Sequence, residues 1–410
     1  MLTMCRTGKS TSKHTKKENK MAFDFSFTDE QLEFRDIVAD LAQREIAPYV
    51  SEWDQKEVMP WHAINKMGEA GLLGIIGKPE LGGLDLDYIT LGIAVEEIAK
   101  VDNSSAMICS MQNTLTRLTP GWGDDFIAKV YAGKALVCIA TSERDAGSDV
   151  SNIQTKAVVD GDELVITGEK IHVSLMPGAT LMGVTAQIIE NGESKGTEFL
   201  RVPAGAPGVS CELMPEMGVR SHQLGIVRMK DVRIPRDAVL GDAAKGAGKG
   251  AGKAVLYARW NVSRCLSALN ALGSAQAVLD QAIEFVKTKE VYGRKIGLNQ
   301  AIQFPIVEHY TRVEACRLLA YKALWMNVRG ENAAKEATMA KWHAVTLSVQ
   351  AIQDCLQMFG ANGYLTEFGI ERRLRDTMGL MFTGGAINIM KMIVVKELFG
   401  NEFMGISRNS

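Results

Sequence analysis

The chain has 410 residues, 46% of them hydrophobic and 23% charged, with a formal net charge of −2. These are the totals of an ordinary globular protein with room for two to three domains of roughly 150 residues, and they exclude the global basic field that argues for nucleic acid. No apolar run reaches the ~18 residues of a membrane span.

The seven cysteines are scattered and contain no CxxC pair, and the six histidines show no HExxH-like spacing. Buried thiols in a reducing compartment are expected, with no disulfide frame and no metal site. The cytoplasm is the expected location, ahead of the mitochondrial matrix.

Residues 1–22 are rich in Lys, Ser and Thr and poor in apolar residues, and read as a disordered extension. A single Arg and no apolar face argue against a transit peptide. Residues 23–134 follow a helical pattern. Thr28 is placed as an N-cap, with Gln31 completing a capping box. The apolar repeat that follows is expected to stop at Pro48. Apolar periodicity returns at 64–75, 89–101 and 104–115. Glu96 and Glu97, inside one of these patterns, read as a solvated or bridging pair.

From residue 135 the pattern changes to strands, and 135–242 reads as a small β-barrel or sandwich domain. Asp160-Gly161 signals a two-residue hairpin. Further strands are expected at 180–189, 198–202, 209–213 and 226–234. Residues 243–253 read as a flexible Gly/Ala/Lys linker without a GxxxxGK[ST] phosphate loop. Helical patterns at 254–287, 301–329, 333–359 and 386–398 make 254–400 an antiparallel four-helix bundle, followed by a tail at 401–410. Helices, then strands, then helices define an α+β multidomain chain, not a doubly wound sheet.

Gly384-Gly385 stands between the apolar run Leu380-Met381-Phe382 and the last helical pattern. A glycine pair there permits close approach and presents N–H groups at a helix N-terminus, where an anionic oxygen is favoured.

The loop Thr141-Ser142-Glu143-Arg144-Asp145-Ala146-Gly147-Ser148-Asp149 resembles the T-E-P-x-A-G-S-D signature of the acyl-CoA dehydrogenase family. The domain order over 23–400 is similar to that family as well. The resemblance implies FAD as cofactor, held by Thr141, Ser142, Gly147 and Ser148, with Ser148 also touching the CoA portion of the substrate. Gly168–Ser174 resembles G-x-K-x-W-I-T, which sets His172, Val173 and Ser174 beside the flavin, His172 replacing a Trp. Arg264 matches an arginine on the CoA portion. Lys289, Gln300, Gln357, Gly360 and Ala361 match positions that reach the FAD of a neighbouring subunit, and Asn388 is placed at the cofactor too. A homotetramer and an electron-transfer flavoprotein partner are implied, with an acyl-CoA or enoyl-CoA substrate held at Arg264, Ser148, Gly384 and Gly385.

One family residue is missing. The glutamate that takes the α-proton falls eight positions after the aspartate of R-D, and Asp376 puts Gly384 there. A one-residue shift gives Thr383, and the alternative position before the bundle arginine is Ser263. Displaced-base candidates are His172, Glu143 and Asp102. The expected function is FAD-dependent oxidation of an unusual acyl-CoA thioester with a non-standard base. The alternatives are an enoyl-CoA reductase, an acyl-CoA lyase or desulfinase, a flavin monooxygenase, and a flavin- and CoA-binding homologue with little catalysis.

Overall fold

In the computed structural model the described residues are 26–147, 152–241 and 251–403, of which 251–259 are described by backbone alone. The expectations for 1–22 and for Ser148 lie outside them, as do those for most of 243–253 and 401–410.

Six helices open the chain: α1 (Asp29–Leu41), α2 (Val50–Lys56), α3 (Trp61–Glu69), α4 (Tyr88–Ala99), α5 (Asn103–Leu118) and α6 (Asp124–Tyr131). The capping box at α1 is present: the Thr28 hydroxyl accepts from the Gln31 N–H, and the Thr28 N–H donates to the Gln31 side chain, both at 3.2 Å. The expected stop at Pro48 does not occur. The chain passes through a π segment, Ala42–Ile46, and a 3₁₀ turn, Ala47–Tyr49, and continues into α2. Pro48 lies in the first turn of the 3₁₀ segment, where its missing N–H is not needed.

The middle of the chain is one seven-stranded curled sheet. Its strands are β1 (Val137–Ala140), β2 (Lys156–Asp160), β3 (Glu163–Ser174), β4 (Leu181–Glu190), β5 (Glu193–Pro203), β6 (Val209–Met214) and β7 (Leu224–Pro235). β4 is the shared strand. β1 and β2 run parallel to its successive halves, and β5 runs antiparallel along its length. The expected hairpin forms one residue later than Asp160-Gly161. Asp160 pairs with Glu163, so the loop is Gly161-Asp162, with Gly161 at φ +61°. Glycine at the first central position supplies the positive φ that the turn needs.

The last third holds α7 (Ala251–Thr288), a short hairpin β8 (Glu290–Val291) and β9 (Arg294–Lys295), α8 (Gln300–Val328), α9 (Ala334–Met358), α10 (Ile370–Gly379) and α11 (Ile387–Phe399). α10 has no counterpart among the expected helices. Its sequence, IERRLRDTMG, has only three large apolar residues, Ile370, Leu374 and Met378, spread among five charged ones.

The main apolar core is continuous from Val38 through the sheet (Ile166, Val184, Val227) into the bundle (Leu266, Leu279, Ala344). α4 packs on α7 and α8, so the first and last helical regions share this core. Glu96 bridges them: it accepts from Arg317 Nε at 2.6 Å and from the Tyr321 hydroxyl at 2.9 Å. Gly273 lets α7 approach α4, since a Cβ there would lie 2.4 Å from the Glu96 carbonyl oxygen. That neighbour is backbone and cannot rotate away. Gly273→Ala is therefore expected to lower stability by roughly 1–3 kcal/mol, read as a lower urea midpoint with an unchanged slope. No helix among the described residues is long and apolar enough to cross a membrane.

Candidate functional site

α10 fixes the site because it is tied to every region of the chain. Arg375 pairs with Asp54 of α2, its Nη2 2.6 Å from Asp54 Oδ2. Arg373 donates to the carbonyls of Ala99 and Lys100 at the end of α4. Arg372 reaches Asp376 at 3.2 Å and Asp102 at 3.5 Å. Asp376 in turn accepts from the Val219 N–H at 2.6 Å, in the loop before β7. Burial lifts the Asp376 carboxyl to about 6, against the pull of Arg372 and the Val219 N–H.

The loop Leu380–Ala386 leaves this anchored helix and leads into α11. Gly384 is at φ +67° and Gly385 at φ +112°. A Cβ at Gly384 would meet nothing within 4 Å, whereas one at Gly385 would strike Met390 Cε at 2.5 Å. Gly384 is exposed. Neither glycine N–H finds a backbone acceptor among the described residues. The Thr383 hydroxyl turns back to the Gly379 carbonyl at 3.2 Å.

Beneath the loop lie two buried cations on facing helices. Arg264 of α7 donates to Asn261 and to Thr338 of α9, each at 3.3 Å. Lys341 of α9 has no exposed side-chain surface and donates to the Gly385 carbonyl at 2.7 Å. Burial and the neighbouring Arg264 pull its ammonium down to about 8. The sequence reading passed over Lys341. Its signal was a lysine on the otherwise uncharged stripe Thr338, Lys341, Val345 of an apolar helix.

The sheet contributes the second cluster. Thr141, Ser142 and Glu143 follow β1 and are tied to β3: the Ile171 N–H donates to the Ser142 carbonyl at 2.9 Å, and Lys170 Nζ to the Thr141 carbonyl at 3.2 Å. The β3–β7 register shifts between Lys170 and Val173. In that bulge His172 is exposed at φ +54°, a left-handed conformation that is uncommon for a non-glycine residue, while Val173 is buried. Thr141 and Ser142 thus lie against Lys170 and Ile171 of β3, the strand that continues through His172, Val173 and Ser174. Gly147 stands at the end of the described part of that loop, and a Cβ there would meet nothing within 4 Å among the described residues. An open glycine, two hydroxyls and a bulged strand suit a polar cofactor edge that approaches the backbone closely.

Two of the displaced-base candidates are occupied by structure. Glu143 is buried. It accepts from Lys170 Nζ at 2.7 Å, from the Thr155 hydroxyl and N–H at 2.6 and 3.0 Å, and from the Gln154 N–H at 2.6 Å. Burial alone would raise its carboxyl, but these bonds outweigh it and hold the group below the usual range. A carboxylate so satisfied is a weak proton acceptor. Asp102 caps α5, accepting from the Ser105 N–H and hydroxyl at 2.7 and 2.6 Å, and faces Arg372. His172 is the candidate left exposed.

Lys289, Gln300, Gln357, Gly360, Ala361 and Asn388 are all exposed. Lys289 and the 357–361 turn lie at one end of the bundle, joined through the stacked rings of Phe285 and Phe359 at 4.2 Å. Exposed large apolar side chains accompany the bundle surface, including Tyr292, Phe304 and Tyr364.

Three family models match in chain order: acyl-CoA dehydrogenase N-terminal domain over residues 28–125, middle domain over 138–232 and C-terminal domain over 250–399. The "Probable acyl-CoA dehydrogenase YngJ" of Bacillus subtilis (strain 168) is 33% identical over 392 residues, covering 92% of this chain and 99% of that protein. The "Caffeyl-CoA reductase-Etf complex subunit CarC" of Acetobacterium woodii is 28% identical, covering 90% of this chain and 98% of that protein. Among solved structures, butyryl-CoA dehydrogenase from Megasphaera elsdenii superposes with a TM-score of 0.85 at 26% identity, covering 92% of this chain and all of the other. The chain belongs to the acyl-CoA dehydrogenase family, whose members are FAD-dependent oxidoreductases acting on CH–CH bonds.

Proposed function

We propose that the protein reduces an α,β-unsaturated acyl-CoA thioester. The observation behind this reading is Gly384: an open, exposed backbone position with free donors where the family's proton-abstracting carboxylate is expected. Thr141, Ser142, Gly147 and His172–Ser174 would hold FAD, which in its reduced form would supply the hydride for Cβ. The chain's own groups handle the oxygen and the proton. The N–H groups of Gly384 and Gly385, beside the first turn of α11, hold the thioester oxygen as it gains negative charge, and such a donor contributes about 10²–10³ in rate. Arg264 holds the CoA portion.

The proton at Cα is the step that a missing carboxylate slows, in both directions alike, since a positioned base contributes roughly 10²–10⁴. With Gly384 exposed, water is the proton source for the enolate, and a reducing electron donor drives the net transfer toward the saturated thioester. Supporting this direction, relatives of the chain include a protein named as a caffeyl-CoA reductase subunit and another named 3-(aryl)acrylate reductase. The electron source is then an electron-transfer flavoprotein, in keeping with the Etf complex to which the caffeyl-CoA reductase subunit belongs. The exposed end of the bundle carrying Lys289 and Gln357–Ala361 faces a neighbouring subunit in a homotetramer, and the protein works in the cytoplasm.

The expected result is direct. Photoreduced, FAD-loaded protein mixed anaerobically with a panel of enoyl-CoAs regains its yellow colour, and in D₂O one deuterium appears at Cα. The matching saturated thioester is expected to bleach the oxidised protein more slowly than the enoyl-CoA recolours the reduced protein. Faster bleaching than recolouring across the panel rejects reduction. It would favour the second reading, dehydrogenation with His172 as displaced base, which its exposure and strained backbone support. Turnover without any electron donor or acceptor would instead indicate a lyase.

A further inference from the structure

The Gly384–Gly385 pair is the softest backbone in the site, yet both residues must keep left-handed or glycine-only torsions if their N–H groups are to point one way. Met390 and Lys341 are among the described residues that hold the pair. Met390 Cε packs against Gly385 from α11. Lys341 donates to the Gly385 carbonyl at 2.7 Å. Peptide units are rigid planes, so a carbonyl held inward leaves the torsions of only two residues to orient the donors ahead of it.

Lys341 is an expensive way to make one hydrogen bond. Its side chain is wholly buried, and no carboxylate pairs with it among the described residues. The charge nearest to it is another cation, Arg264. A methionine would fill the same space without the cost of desolvating an ammonium. What a lysine adds is a charged donor at the end of a four-carbon stem, and a charge-assisted bond to a carbonyl is about twice as strong as a neutral one.

We propose that Lys341 is a positioning residue: by holding the Gly385 carbonyl inward, it fixes the Gly384 and Gly385 N–H groups toward the carbonyl oxygen of a bound CoA thioester. It acts through the loop and does not touch the substrate. The inference rests on the acyl-CoA reading of this site, and its test separates the two.

The test compares a short acyl-CoA with its thioether analogue, in which CH₂ replaces the carbonyl, by calorimetric titration of FAD-loaded protein. The wild-type protein is expected to bind the thioester about tenfold more tightly or better, the worth of one or two hydrogen bonds. Lys341→Met is expected to lose that preference while its thioether affinity stays within about twofold of wild type. Lys341→Gln serves the same purpose if the Met variant does not fold. Its amide stops one atom short of the Gly385 carbonyl, so it too should lose the preference. A folded Lys341 variant that keeps the full preference overturns the proposal, as does one that weakens both ligands equally. Wild-type protein that binds neither ligand rejects the acyl-CoA reading itself.

Discussion

Gly384→Glu is expected to gain ordinary α,β-dehydrogenation, rising by roughly 10²–10⁴ over the wild-type rate on a matching saturated acyl-CoA. The space exists, because a Cβ at Gly384 meets nothing within 4 Å. The neighbouring N–H groups that would share the thioester are already in place. The same substitution carries a cost. Gly384 is at φ +67°, and an L-residue in that region costs about 1–2 kcal/mol. The variant should therefore unfold at lower denaturant concentration while its flavin bleaches faster with substrate. Stopped-flow reduction and a urea titration on one preparation read both effects. A variant that loses stability and gains no bleaching with any thioester would show that Gly384 does not occupy the base position.

Glu143→Ala is expected to have the largest effect on stability. It strips the partner from Lys170, whose side chain has no exposed surface, and leaves the Thr155 and Gln154 donors without their acceptor. Breaking such a buried pair costs about 3–5 kcal/mol. Because Glu143 organises the loop that carries Thr141, Ser142 and Gly147, FAD retention should fall with it. The pH dependence has a definite sign. The folded carboxyl lies below its ordinary value, so its contribution is complete above the unfolded pKa of about 4.3 and disappears as pH falls through the folded one. Wild-type protein should lose stability on the acid side of about pH 4, and Glu143→Ala should show a flatter acid limb. A variant with wild-type stability and flavin content would mean that Glu143 is not a structural group.

Much of the architecture is legible in the sequence because it is written in local patterns. Thr28 and Gln31 stand three apart before an apolar repeat, and their cap needs no other part of the chain. β7 alternates buried and open positions, and β2, β5, β6 and β7 end at or beside Gly161, Pro203, Pro215 and Pro235. The one-residue displacement of the hairpin follows from a choice that Asp160-Gly161 leaves open, whether Asp160 is the first turn residue or the last strand residue, and pairing with Glu163 settles it. Pro48 misleads because its effect depends on whether the helix can loosen into a π segment, which no spacing reports. α10 stays hidden because tertiary partners, not an apolar face, satisfy its arginines. At the site, the sheet cluster is proposed from a contiguous signature, and the proposed loss of the carboxylate rests on counting from Asp376. Lys341 is not legible in this way, because its meaning depends on Gly385, 44 residues away.

α10 also bears on the order in which the molecule becomes functional. Its contacts span long stretches of chain, 321 residues from Arg375 to Asp54 and 270 from Arg372 to Asp102. Contacts of such separation form late, since the closure entropy of the intervening chain must be met first. The helix preceding the glycine loop can settle only after the first helices and the sheet have found each other. On the proposed function, the loop that would hold the thioester is completed by the last docking event, and chains stalled before that event would be unable to bind it.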